Sequence, residues 1–251
     1  MSISRRKWIT AGIAAGAGAA GLDMAGRAAA KYGLIAPDHG GLYGIGETLD
    51  YVAARALASH SLAREFPPSM ISKRPFPNEV APPKEAFRKL QAGGFADWRL
   101  SIDGMVTRPA SFSIAQLKQY PSSSQITELA CEEGWSYIAQ WTGVALHHVL
   151  DEVGVDARAR WLVYFSIQRH WWDSIDMAES RHPQTFLAYG LNGGELPVGN
   201  GGPLRMRVPR QLGYKNVKFI TRLTLTDDLK KFGKGLGSAP PEGGYAWYAG
   251  I

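Results

Sequence analysis

Short stretches of alternating or continuous apolar residues, separated by glycine- and proline-rich segments, dominate the chain after residue 98. Alternation with a period of two is typical of half-buried strands, and a short continuous apolar run is typical of a fully buried one. The predicted strands cover 98–104, 125–130, 161–167, 204–208 and 217–225. Because helices are predicted only as scattered short segments between them, the pattern favours a mixed α+β domain, rich in strands and loops, over a doubly wound sheet.

The helix patterns are short and have recognisable ends. Ser113 is predicted to cap a helix over 114–120, which Pro121 ends. An amphipathic helix is predicted over 146–153, with Gly154 as its C-terminal cap. Further helical segments are predicted at 51–64, 84–91 and 183–189.

The N-terminus has the order of a secretory signal. Arg5, Arg6 and Lys7 precede an Ala/Gly-rich run over 11–21, and three alanines end the stretch at residue 30. The order Ser-Arg-Arg-x-aromatic-aliphatic resembles the twin-arginine export signal. We therefore predict a signal peptide over 1–30 and export of the folded chain to the periplasm, the alternative being the basic start of a cytosolic protein. Because this route carries folded substrates, it favours a cofactor acquired before export.

Residues 31–97 are predicted to form an N-terminal arm with short helices, ahead of a domain over 98–251 that includes a Gly/Pro-rich tail. Prolines are too frequent between Phe66 and Pro83 for regular secondary structure. We expect this part of the chain to lie as an extended arm across another part of the protein.

The charge of the chain argues against nucleic-acid binding. Lys and Arg number 28 against 22 Asp and Glu, and beyond residue 30 the counts are 24 and 21. The charge is thus nearly balanced, and no Lys/Arg run indicates a nucleic-acid partner.

Cys131 is the only cysteine, and it is followed directly by Glu132 and Glu133. Two adjacent carboxylates are expected to raise the thiol pKa, whereas a nucleophilic cysteine needs cationic neighbours. A bound soft metal has the opposite effect to the carboxylates, because coordination deprotonates the thiol. If Cys131 is functional, a metal ligand is therefore favoured over a nucleophile. The alternative is a small buried apolar residue.

Two glycine-containing cationic stretches follow. Within 196–205, Asn200 and its neighbouring glycines allow backbone N–H groups to approach a ligand, and Arg205 offers a planar fork for a phosphate. Within 210–218, Gly213 suits a tight turn, and Lys215 and Lys218 follow it. Together they suit a phosphate-bearing cofactor, although each alone also fits a surface turn.

These segments, in this order, resemble the molybdopterin-binding domain of the sulfite-oxidase family over residues 98–226. The matching segments are 102–109, Cys131, 182–190, 200–205 and 213–218. The Cys-x-Glu-x-Trp-Ser motif that begins at Cys131 is also similar to that of periplasmic methionine-sulfoxide reductase catalytic subunits. The resemblance implies a sulfite-oxidase-like fold.

The resemblance also implies a molybdenum–molybdopterin cofactor with Cys131 as the thiolate ligand of the metal. The cofactor contacts that it implies are Asn78, Ser166, Asn200, Arg205, Asn216, Val217 and Lys218. Glu133 is expected to support the metal site. Arg169 and His170 are candidates for attracting a polar oxo-substrate, the alternative being a surface loop.

The implied activity is oxygen-atom transfer to or from a small oxo-substrate such as a sulfoxide or sulfite. The sequence has no Cys-x-x-Cys-His haem motif, so electrons are expected to pass to or from a membrane or soluble cytochrome. A monomeric catalytic subunit is expected. The alternatives are a periplasmic binding module without the cofactor and a cysteine hydrolase that uses Cys131.

Overall fold

The computed structural model describes Arg27, Ala29 and residues 33–40, 44–78 and 81–251. Apart from Arg27 and Ala29, the predicted signal peptide lies outside the described residues. The strands, in chain order, are β1 (Leu100–Gly104), β2 (Ala110–Phe112), β3 (Ser122–Ala130), β4 (Ser136–Ala145), β5 (Trp161–Ser166), β6 (Trp172–Asp176), β7 (Phe186–Leu191), β8 (Gly194–Glu195), β9 (Arg205–Arg207) and β10 (Ile220–Thr226).

The described helices are short. They are α1 (Gly44–Leu57), α2 (Glu85–Ala92), α3 (Ile114–Leu117), α4 (Leu146–Val153), α5 (Met177–Ser180) and α6 (Ala239–Glu242). Single 3-10 turns lie at Pro68–Met70, Val198–Asn200 and Gly213–Lys215. Within the described part of the chain, each helix is too short or too polar to cross a lipid bilayer.

Two five-stranded sheets carry the fold. In the first, the order is β2-β1-β10-β5-β6, with β1 and β10 parallel and the other pairs antiparallel. In the second, the order is β3-β4-β7-β8, and β9 pairs with β7. The mixed α+β architecture predicted from the sequence is confirmed.

One apolar core joins the two sheets. Leu162 and Leu223 of the first sheet and Leu187 of the second belong to the same buried cluster. Helix α4 adds its apolar face to this cluster, and Gly154 ends the helix in the left-handed conformation at φ 65°. The amphipathic helix and its glycine cap are confirmed with the predicted bounds.

The prediction of a helical start over 183–189 is wrong. Phe186–Leu191 is instead the strand β7, which pairs with β4 along one edge and with β8 and β9 along the other. Phe186, Leu187 and Ala188 are fully buried in this central position. Because pairing on both edges satisfies the strand's backbone, it outweighs a local helical tendency.

The predicted helix over 51–64 begins earlier and ends at Leu57. Beyond it, Arg210 donates hydrogen bonds to the carbonyl oxygens of Ala58 and Ser61. Since those carbonyls lie against Arg210, the chain turns here and continues as an extended segment.

The extended arm that is predicted between Phe66 and Pro83 is present over the described residues 66–78, apart from the 3-10 turn at Pro68–Met70. Glu65 forms a bridge with Thr127 of β3, and the Ser72 N–H donates to the Ile138 carbonyl of β4. The arm thereby crosses the hairpin of β3 and β4. It brings Phe76 and Asn78 to the end of that hairpin, where the candidate site lies.

Candidate functional site

A cavity of about 260 Å³ lies between the turn joining β3 to β4 and the loop over 213–218. We call it the Cys131 pocket. Its lining comprises Asn78, Cys131, Glu132, Glu133, Trp135, Trp171, Arg205, Gly213, Tyr214, Asn216, Val217 and Lys218.

Cys131 is held at the pocket by the hairpin turn. Its N–H donates to the Trp135 carbonyl at 2.9 Å, and its carbonyl accepts from Gly134 N–H at 3.1 Å. Gly134 has φ 88°, a conformation that favours glycine, and so closes the turn without strain. The Cys131 side chain is half-buried at the pocket wall.

The surroundings of Cys131 hold its thiol protonated when no metal is bound. The Sγ atom lies 3.1 Å from Glu132 Oε2 and 3.8 Å from Glu133 Oε2. Burial, followed by the hydrogen bond to Glu132 and the two carboxylate charges, raises the pKa of Cys131 to about 12. The predicted direction is confirmed, although burial is the larger cause. A free thiol in this state is a poor nucleophile at neutral pH.

Arg205 and Lys218 contribute buried positive charge to the pocket. Their exposed fractions are 3% and 5%. Arg205 donates to the carbonyl oxygens of Asn200 and Asn216, both at 2.9 Å, and Lys218 Nζ donates to the Gly199 carbonyl at 2.7 Å. Buried guanidinium and ammonium groups beside a cavity are suited to an anionic ligand, to which they can donate charge-assisted hydrogen bonds.

Gly201 makes room for these two cations. A Cβ atom added there would lie 2.9 Å from Lys218 Cγ and 3.2 Å from Arg205 Cδ. Its φ of 108° is also one that other residues rarely adopt. A glycine here was predicted to let backbone N–H groups approach a ligand. In the structure, Gly201 leaves space for the side chains of Arg205 and Lys218.

Asn216 fixes the backbone of the loop. Its Oδ1 accepts from Arg207 at 2.6 Å and from Val208 N–H at 2.8 Å. Its Nδ2 donates to the carbonyl oxygens of Gln211 and Leu212. The side chain thus supports the loop from within, while the residue lines the pocket.

Arg207 is a supporting residue that the sequence analysis missed. It is fully buried, and burial together with the nearby Arg205 charge lowers its pKa to about 9. Its guanidinium carbon lies 4.7 Å from the centre of the Trp141 ring. The alternation of β9, which places Arg205 and Arg207 on one face, was the pattern that could have revealed it.

The structure brings most of the predicted site residues together. Those that line the pocket are Asn78, Cys131, Glu133, Arg205, Asn216, Val217 and Lys218. Asn200 lies just behind them, and its Nδ2 donates to the Tyr137 hydroxyl at 3.3 Å. Ser166, at the end of β5, is outside the lining, and its Oγ accepts from Gln168 N–H at 3.0 Å.

Arg169 and His170 are exposed in the turn between β5 and β6 and do not line the cavity. The next residue, Trp171, does line it. Together with Trp135 it gives the pocket an aromatic side. Phe76 packs on Trp135 at a ring distance of 5.1 Å. These aromatic residues were not among the site residues predicted from the sequence.

The residues of the pocket fit a phosphate-bearing cofactor with a soft metal. The thiol provides a soft donor, and Arg205 and Lys218 provide buried charge for a phosphate. Gly213 keeps the space beside the thiol open, since a Cβ atom there would lie 3.2 Å from Cys131 Sγ. Among the described residues, no three His, Cys, Asp or Glu side chains are placed to hold a metal ion together.

Residues 89–232 match the protein family described as "Oxidoreductase molybdopterin binding domain". The match contains all of the lining residues except Asn78.

Curated relatives are similar over much of the chain. The putative protein-methionine-sulfoxide reductase subunit YedZ1 of Azospira oryzae is 36% identical over 191 residues, which cover 76% of this chain and 69% of the relative. The protein-methionine-sulfoxide reductase catalytic subunit MsrP of Xanthomonas campestris pv. campestris is 31% identical over 169 residues. That match covers 61% of this chain and 52% of the relative, so the chain spans about half the length of this relative.

A solved structure has the same fold. The sulfane dehydrogenase SoxCD from Paracoccus pantotrophus superposes with a TM-score of 0.52 at 22% identity. The match covers 68% of this chain and 46% of that one. The likeness supports the sulfite-oxidase-like fold.

Proposed function

The chain belongs to the oxidoreductase family with a molybdopterin-binding domain, of the sulfite-oxidase type, and from this premise we propose that it reduces a sulfoxide by oxygen-atom transfer. The observation that carries the proposal is the pocket itself, in which the Cys131 thiol and the buried cations Arg205 and Lys218 line one cavity. Molybdenum bound to the pterin and to Cys131 is part of the proposal.

The protein residues divide the binding of the cofactor between them. Arg205 and Lys218 are placed to donate charge-assisted hydrogen bonds to its phosphate, while Asn216 and Val217 present the loop backbone. Asn78 closes the pocket from the arm. When bound, the cofactor supplies the oxygen-atom transfer and the two-electron redox chemistry.

The pocket wall beside Cys131 favours a neutral substrate over sulfite. The carboxylates of Glu132 and Glu133 line this wall, and the Glu133 Oε2 atom accepts a hydrogen bond from Trp135 Nε1 at 2.7 Å. Negative charge here opposes an anion. Trp135 and Trp171 offer faces for an apolar group, and thioether sulfur packs well against aromatic rings.

We therefore favour an organic sulfoxide, with methionine sulfoxide as the first compound to test. The names of the curated relatives point to the same substrate class. The reaction consumes two electrons and two protons, breaks the S–O bond, and releases the thioether and water. Sulfite oxidation is the second candidate, and it runs in the opposite redox direction.

Location and partner form part of the proposal. The twin-arginine pattern at the N-terminus supports export to the periplasm. A membrane or soluble cytochrome is proposed to supply the electrons.

The test is to purify the natively exported chain and to measure molybdenum and pterin per chain. Methionine sulfoxide is then assayed with a reduced artificial carrier, and sulfite with an oxidised one that can accept its two electrons. We expect close to one molybdenum per chain and turnover with the sulfoxide but not with sulfite. Protein without molybdenum supports the binding-module alternative. The hydrolase alternative is supported if metal-free protein turns over ester or amide substrates and if alkylation of the thiol abolishes this activity.

A further inference from the structure

Lys215 lies in the middle of the pocket loop but points away from the cavity. Its neighbours Tyr214 and Asn216 line the pocket, whereas Lys215 is fully buried behind them. Its Nζ contacts Asp173 Oδ1 at 2.5 Å and the Ser174 carbonyl at 2.8 Å. Both acceptors belong to β6, a strand of the first sheet.

The backbone of Lys215 is fixed to the same sheet. The Tyr164 hydroxyl, on β5, donates to the Lys215 carbonyl at 2.9 Å. The Nζ atom also lies 5.0 Å from the centre of the Trp247 ring. The loop is therefore anchored to two neighbouring strands through a single residue.

Stability alone does not explain a charged pair in this position. The side chains of Asp173 and Lys215 are both completely buried. Burial raises the pKa of Asp173 to about 6 and lowers that of Lys215, so the site disfavours both charges. A well-packed apolar pair of similar volume is often at least as stable as a buried ion pair. What the ion pair adds is direction, because the Lys215 amine reaches both Asp173 Oδ1 and the Ser174 carbonyl oxygen in one side-chain geometry.

We infer that Asp173 and Lys215 are a positioning pair, which fixes the loop over 213–218 in the shape that receives the cofactor before the cofactor arrives. Neither residue lines the pocket. They act through Asn216 and Lys218, and the inference rests on the proposed function for the identity of the ligand. The substrate itself is not touched by the pair.

The test uses the full chain, purified from molybdate-starved cells and from molybdate-supplied cells. Lys215→Met removes the amine, and the double variant Asp173→Asn/Lys215→Met removes both charges so that no buried carboxylate is left unpaired. Arg55→Met is the matched control for Lys215→Met, since it also removes the cation of a buried ionic cluster, here the one with Asp176 and Glu179, and these residues lie outside the pocket lining.

In metal-free protein, we expect the double variant to lose hydrogen-exchange protection at the amides of Lys215 and Asn216, which donate to the carbonyls of Leu212 and Gly213. Amides of β5 and β10 should keep their protection, which separates loosening of the loop from global unfolding. In molybdate-supplied protein, we expect retention of molybdenum and pterin to fall by roughly tenfold. Arg55→Met should change neither readout.

Wild-type loop protection and wild-type cofactor retention in the double variant would overturn the inference. Loss of both readouts in Arg55→Met as well would overturn it too, because any buried ion pair would then suffice. If the wild-type chain binds no molybdenum, the proposed function fails. The exchange measurement still decides whether the pair orders the loop.

Discussion

At the scale of single residues, the proposed function depends on the protonation state of the Cys131 thiol, which differs between the metal-free chain and a chain with metal bound. Its thiol is protonated because the residue is half-buried beside two carboxylates. Coordination to a metal removes that proton and makes the carboxylates compatible with the thiolate. The same surroundings thus disfavour a free nucleophile and suit a ligand.

Cys131→Ser is expected to abolish sulfoxide turnover while leaving the thermal unfolding temperature nearly unchanged. Oxygen is a poorer donor than thiolate to a soft metal, and the turn itself is held by backbone hydrogen bonds. Activity assays and metal analysis check this. Ser122→Ala, an exposed position in the same hairpin but outside the motif that begins at Cys131, is the control that should remain active. Full activity of Cys131→Ser would exclude Cys131 as the ligand.

Gly213→Ala is expected to disturb the pocket without a ligand present. The added Cβ would lie 3.2 Å from Cys131 Sγ and 3.3 Å from the Ala130 carbonyl oxygen. Overpacking of this kind costs about 1–3 kcal/mol. Denaturant unfolding and cofactor content are the measurements. Gly93→Ala, where the nearest atom would be 3.7 Å away, should behave like wild type in both.

Arg205→Ala and Lys218→Ala are each expected to weaken cofactor retention. Each change removes a hydrogen bond to a charged group, which contributes about 1.5–3 kcal/mol. Dialysis followed by molybdenum and pterin analysis measures the loss. Arg222→Ala, which breaks an exposed pair with Asp103, is the control. Wild-type retention in both pocket variants would contradict the phosphate assignment.

At the scale of elements, His182 ties the segment that follows α1 to the segment before β7. Gln184 N–H donates to His182 Nδ1 at 3.2 Å, so the other ring nitrogen, Nε2, carries the proton and donates to the Ser61 carbonyl at 3.1 Å. Burial, then the Arg210 charge, lowers the pKa of His182 below 6.5. Protonation would place a second donor opposite the Gln184 N–H.

This geometry predicts an acid-sensitive attachment. Because the folded pKa is lowered, the unfolded chain takes up a proton that the folded chain does not. The stabilisation is therefore present above the unfolded pKa and is lost as the pH falls through the folded one. The urea concentration at the unfolding midpoint of the wild-type protein should decrease as the pH is lowered from about 7.5 to 5. His182→Asn should be less stable at neutral pH but should lack this component of the loss, whereas His60→Asn should keep it.

The sequence predicted the elements whose pattern is local and missed those that depend on pairing. Helix α4 has its apolar residues at helical spacing and a glycine cap, so its bounds were correct. Strand β7 was read as a helix because its strand character comes from β4, β8 and β9, which the local sequence does not reveal. The residues that line the Cys131 pocket were mostly predicted through family motifs. Arg207 and Trp171 were missed, because their places depend on strand faces and turn directions that the local sequence does not reveal.

At the scale of the whole molecule, the site lies where the hairpin of the second sheet meets a loop anchored on the first. Its residues come from the arm, from the turn after β3, from the turn before β6 and from the segment over 205–218. Asp173, Lys215 and Tyr164 connect that loop to the first sheet. The position of Cys131 relative to Arg205 and Lys218 thus depends on how the two sheets pack.

The electron supply is a property of the whole molecule. The nearly balanced charge beyond residue 30 predicts a weak, transient contact with a cytochrome rather than strong electrostatic steering. Purified protein with sulfoxide alone should show no sustained turnover, and a reduced artificial carrier should restore it. Sustained turnover without any carrier would contradict the need for a protein electron donor.

The parallel pairing of β1 with β10 also limits how early during synthesis the first sheet can form. Residue 101 pairs with residue 222, so the middle of the first sheet stays open until almost the whole domain has been synthesised. Closing so long a loop carries an entropic cost that only late contacts offset, which slows folding. Lys215 and Lys218 belong to the same late segment. The pocket therefore cannot be complete until the segment over 213–218 has been synthesised, and a cofactor can be bound by all of its lining residues only after that.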